Sequence, residues 1–193
     1  MRTAASLLAP WLAVTICWAW LHNAWATLVA YHLLILLLSG RRLGAALRGW
    51  LPGLLPLVLP CALAGPVTWL LLPSAARVPL DAWRSSFGLG GAALPIMIPW
   101  YGLVHPFLEQ AHWAPLRRHH RLGPASHFFF AGYHVIVLTT LMKAPWVAFC
   151  AALLLASSIA WKRMERSGGG LLMPVVSQSL ADLGMILALL LRS

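Results

Sequence analysis

Acidic side chains are almost missing from this chain: its 193 residues hold four Asp and Glu against 14 Lys and Arg and 8 His, a formal net charge of +10. Charge of either sign is scarce at 9%, while 61% of the residues are hydrophobic. A water-soluble domain of this size could not clothe its surface with so few charges. Cysteine is also sparse. Cys17, Cys61 and Cys150 each lie in an apolar run and lack the paired spacing of a zinc or redox motif, so they read as small buried hydrophobes. No internal repeat and no polar linker divides the chain, which predicts a single integral membrane domain over residues 1–193. The basic residues sit in short clusters between apolar runs, with no aromatic-basic face. That pattern argues against nucleic acid and for membrane lipid as the partner of the charge.

What is present is a series of apolar runs. A bilayer crossing takes about 20 apolar residues, so there is room for roughly six or seven crossings, and the expected fold is an all-α, polytopic transmembrane bundle of about six to eight helices. Arg2 and the apolar stretch after it have the look of a signal peptide, but the apolar character continues past any cleavage region and predicts a retained segment. Ala4 to Gly40 is longer than one helix needs, and His22 and Asn23 predict a turn between two helices, with one long helix as the alternative. After Arg41, Arg42 and Arg48, the run Leu51 to Leu72 carries Pro52, Pro56, Pro60 and Pro66 and must be kinked. Ser74 to Ser86 is expected to be a loop or interfacial piece. Further spans are expected at Leu89 to His112, Ser126 to Met142, Ala144 to Trp161 and Leu171 to Leu191, with basic loops at Arg117 to Arg121 and Lys162 to Gly170.

Seven crossings put Arg2, Arg41, Arg42, Arg48, Arg117, Arg118, Arg121, Lys162, Arg163 and Arg166 on one side, and about four basic residues on the other. The expected location is a bacterial inner membrane with the basic loops cytoplasmic. The eleven tryptophans cluster near helix ends as interfacial anchors.

Two of the four acids, Asp81 and Glu165, fall in basic loops, whereas Glu109 and Asp182 fall inside apolar segments, where an unpaired carboxylate costs several kcal/mol. They need partners. Glu109, His134 and Gln178 each lie about eight residues from the basic side of their helix, roughly 12 Å deep at 1.5 Å per residue, so three helices can converge there. Asp182 is one turn deeper than Gln178 on the same face. His105, Glu109 and His112 follow an i, i+4, i+7 face, and Glu109 with His112 has a spacing that lets two ligands reach one metal ion. His22 and His32 have no acidic partner in this topology. The plainer reading is a structural ion pair or a hydrogen-bonded acid.

Three motifs resemble those of the CPBP intramembrane proteases, which include the type II CAAX prenyl endopeptidases and bacteriocin-processing or immunity proteins. EQAHWA, Glu109 to Ala114, is similar to Glu-Glu-x-x-x-Arg. FAGYH, Phe130 to His134, meets Phe-x-x-x-His. GGGLLMPVVSQSLADL, Gly168 to Leu183, resembles the final motif, a His followed four residues later by Asn or Asp. The resemblance covers about residues 89–193. Gln110 stands for the second Glu, Ala114 for the Arg and Gln178 for the His, while Glu109, His134 and Asp182 match.

The resemblance implies an endopeptidase acting on a prenylated or membrane-anchored peptide near the cytoplasmic face. Its catalytic group would be Glu109, His134, Asp182 and Gln178, with a divalent metal such as zinc held by Glu109, His134 and Asp182, and helical spacing alone adds His112 as a replacement for the missing ligand. Glu109 would be the general base, and Gln178 a hydrogen-bond donor to an oxyanion. The departures imply the alternative, a catalytically inactive subunit that binds or stabilises a membrane-protein partner. A haem or metal protein using His105, His112 and His134 leaves the glycine-rich final motif unexplained, and a transporter lacks the inverted repeats such folds show.

Overall fold

The computed structural model describes residues 2–39, 48–49 and 55–192. The predicted basic pair Arg41 and Arg42 and the start of the proline-rich run at Leu51 lie outside these. The described elements are helical: α1 (Arg2–Ala13), α2 (Ala24–Ser39), α3 (Leu55–Val58), α4 (Ala64–Ala75), α5 (Leu80–Ser86), α6 (Ala93–Pro99), α7 (His105–Arg118), α8 (Gly123–Leu141), α9 (Ala144–Gly168) and α10 (Leu172–Leu191). An antiparallel bridge between Ala76 and Met142 ties two connections together.

Several of these run on without a break. A π-helical segment, Val14–Trp20, extends α1, a 3-10 segment, Leu59–Leu63, joins α3 to α4, and a second π segment, Trp100–Val104, joins α6 to α7. The second widened turn follows from proline. Pro99 and Pro106 supply no N–H and crowd the carbonyl four residues back, so the turn between them opens rather than breaks. The predicted turn at His22 is present, and His22 takes a left-handed φ of 49°, unusual for a residue with a side chain. Gly169, with φ 71°, ends α9 in the left-handed conformation that glycine adopts without strain.

Helices at both basic segments are longer than the hydrophobic pattern predicts. Arg117 and Arg118 complete α7, and Lys162 to Gly168 complete α9, so KRMERSG is helix and not loop. Arg and Lys have good helix propensity and complement the carbonyl end of a helix, which extends it past the last apolar residue. The piece expected between Ser74 and Ser86 contains the short helix α5. The cysteines are half-buried rather than buried, and the Cys61 thiol lies 3.0 Å from the Ser177 hydroxyl.

Helix α10 is the centre of the packing. A Cβ on Gly65 would sit 2.8 Å from the Gly184 backbone, so α4 and α10 cross with their main chains in contact. A Cβ on Gly102 would sit 2.1 Å from Leu183 Cδ2, so Leu183 plugs the second π segment. The first turn of α10 is held by the Arg48 carbonyl, which accepts from the Leu172 N–H at 2.9 Å. The exterior is apolar, with Trp20, Leu37, Leu70, Phe128 and Leu191 among the exposed large side chains. α9 and α10 are long and apolar enough to cross a membrane.

Candidate functional site

α7 carries its polar residues inward. Glu109, Gln110, His112 and Arg117 all have 0% exposure. Burying such groups is costly unless their hydrogen-bonding atoms find partners, and here most do, although Arg117 Nε and Nη1 are buried without one. Glu109 Oε1 accepts from the Tyr31 hydroxyl of α2 at 2.9 Å and from the Tyr133 hydroxyl of α8. Glu109 Oε2 accepts from Gln178 Nε2 of α10 and lies 3.4 Å from His105 Nε2. Four helices thus meet at one carboxylate, and every group reaching it is a donor.

Two chains of donors lead there. The Trp100 indole N–H, which can only donate, gives its hydrogen to His32 Nδ1 at 2.9 Å. His32 therefore donates through Nε2 to His105 Nδ1 at 3.0 Å, and His105 turns its own Nε2 hydrogen toward Glu109. On the other side Arg117 Nη2 donates to Gln110 Oε1 at 2.6 Å, and Gln110 Nε2 donates to Gln178 Oε1 at 2.6 Å. The two hydrogens of the Gln178 amide then go to Glu109 and, at 3.3 Å, to Asp182 Oδ2. An amide suits position 178 because it accepts once and donates twice. Trp113 completes the cage by donating to the Tyr31 oxygen at 3.1 Å.

The structure brings Glu109, Gln178 and Asp182 into one hydrogen-bonded group. His134 lies beside it: its ring stacks on Tyr133 at 4.1 Å, and its Nδ1 donates to the Phe130 carbonyl at 2.8 Å. His112 is not brought there. Its Nδ1 meets the Ser39 hydroxyl at 3.0 Å and its Nε2 meets the Ser6 carbonyl at 2.9 Å, so both nitrogens face α1 and α2. Among the described residues no three His, Cys, Asp or Glu side chains are grouped to hold a metal ion, and of the expected donors His112 is engaged by Ser39 and the Ser6 carbonyl.

Sequence reasoning missed Tyr31, Tyr133, Trp113, Gln110, Arg117 and His32. His32, set aside for want of an acid, reaches Glu109 through His105. Arg117, assigned to a loop, is buried one turn beyond Ala114 and directs one nitrogen to Gln110. The available signal was helical spacing: residues seven apart, such as Gln110 and Arg117, share a face. No family model, no curated protein and no solved structure matches the chain.

Proposed function

We propose that this chain is a polytopic membrane protein with a CPBP-like arrangement of helices, and that it works as a non-catalytic subunit which binds and stabilises a membrane-protein partner. The observation that carries the reading is the state of Glu109. A general base needs a lone pair turned toward water, and both oxygens of Glu109 are occupied by protein donors at 0% exposure. Polar residues inside and large apolar residues outside support placement in lipid. Arg48, Arg117, Arg118, Arg121, Lys162, Arg163 and Arg166 at one end, against Arg77, Arg84, Lys143 and Arg192 at the other, support a cytoplasmic position for the former.

A second reading, an endopeptidase cleaving prenylated or membrane-anchored peptides, is favoured by the meeting of Glu109, Gln178 and Asp182 from the first and third motifs beside His134 of the second. Purified protein in proteoliposomes, incubated with a farnesylated peptide and a membrane-anchored peptide, separates the two. Our reading expects no cleavage above the Glu109→Gln background. Cleavage abolished by Glu109→Gln and by His134→Ala would replace it with the endopeptidase.

A further inference from the structure

At the end of the bundle away from the Arg117 cluster, three of the four described cations are engaged. Arg84 pairs with Asp81 at 3.5 Å, Lys143 Nζ donates to the Ser74 carbonyl at 2.8 Å, and the Arg192 guanidinium lies 4.5 Å over the Trp69 ring. Among the described residues the Arg77 guanidinium has no such partner. It lines a cavity of about 420 Å³ together with His22, Trp83, Ser86, Phe87 and Thr140. That volume is in the range of small-ligand sites.

The lining admits one kind of ligand. The Thr140 hydroxyl donates to the Val137 carbonyl and accepts from the indoles of Trp18 and Trp83. The Ser86 hydroxyl donates to the Trp83 carbonyl. With both hydroxyl hydrogens spent, the donors left for a ligand are Arg77 and His22. Asp81, the acid of this end, is paired with Arg84 and does not line the cavity. The floor is aromatic: the left-handed backbone of His22 sets its ring edge-on to Phe87 at 5.4 Å, and Phe87 stands 5.4 Å from Trp83. Exposed Trp20 and Leu21, just before His22, continue the apolar outer surface to the rim. We propose that this cavity holds an anionic phospholipid, its phosphodiester over Arg77 and His22 and its first acyl carbons over Trp83 and Phe87.

The inference rests on the membrane reading but not on the fate of the Glu109 cluster. Protein purified from nanodiscs of equal phosphatidylglycerol and phosphatidylcholine should retain phosphatidylglycerol in native mass spectra. Arg77→Gln should lower the retained ratio about fivefold, the factor expected of one basic side chain at a lipid surface. Ser86→Trp should lower it by filling the cavity, and Glu109→Gln should leave it unchanged. An unchanged ratio in Arg77→Gln, or an equal fall in Arg163→Gln at the opposite end, would overturn the site. Displacement of the lipid by excess inorganic phosphate would overturn the lipid as its occupant.

Discussion

Helices α7 and α9 invert the usual relation between polarity and burial. α7 carries Glu, Gln, two His and two Arg in 14 residues, yet eleven of the 14 are buried. α9 is mostly apolar, yet of its 25 residues only Val147, Ser158, Trp161, Met164 and Glu165 are buried. Most buried polar side chains here sit where they find a partner, by hydrogen bond in α7 or by charge for Glu165 of α9, although Arg117 keeps two unpartnered nitrogens. In the membrane placement proposed above, an apolar residue would gain little from moving inward, while an unpaired polar one would lose a great deal.

The comparison breaks most visibly at its polar end. Glu109→Ala strands donors from Tyr31, Tyr133, Gln178 and His105, and the loss in detergent unfolding should be on the order of 4 kcal/mol, since removing one member of a buried charged group costs about 3–5 kcal/mol. At the apolar end, Leu153 of α9 is half exposed near mid-helix. Leu153→Arg should reduce insertion in a translocon assay by about 3 kcal/mol, whereas a water-facing position would show no effect. Gly65→Ala tests whether the α4 and α10 backbones must touch, and should cost about 2 kcal/mol in the same unfolding experiment through overpacking. The smallest effect sharpens the contrast within one dipeptide. Arg118, more than half exposed beside Glu165 at 3.1 Å, should lose under about 1 kcal/mol on mutation to Gln, while Arg117→Gln should lose clearly more.

Much of this arrangement was legible in the sequence because distance along a helix is countable. Residue offsets from the basic ends put Glu109 and Gln178 at one level, and they are hydrogen-bonded. The turn at His22 followed from a run too long for one helix. What the offsets could not give was direction around each helix. Tyr31 and Tyr133 sit in sequences so uniformly apolar that no face stands out, and only neighbouring helices decide which aromatic turns inward. The direction of His112 was hidden for the same reason: its spacing allowed the Glu109 face, but its ring nitrogens meet Ser39 and the Ser6 carbonyl. Arg117 was hidden by the habit of counting basic residues at helix ends as solvated.

The widened turn at Trp100–Val104 governs this missing quantity for α7. Each residue advances an α-helix by about 100°, so one residue more or less in that turn swings everything downstream by that angle. Glu109 stands five residues past it. Removing one residue from the turn would keep composition, hydropathy and every motif of α7 intact while aiming the carboxylate at a different neighbour. The compass bearing of the acid is thus written in the same segment that starts one of its donor chains at Trp100 and stacks Tyr101 on His105, with Leu183 wedged against Gly102 behind it.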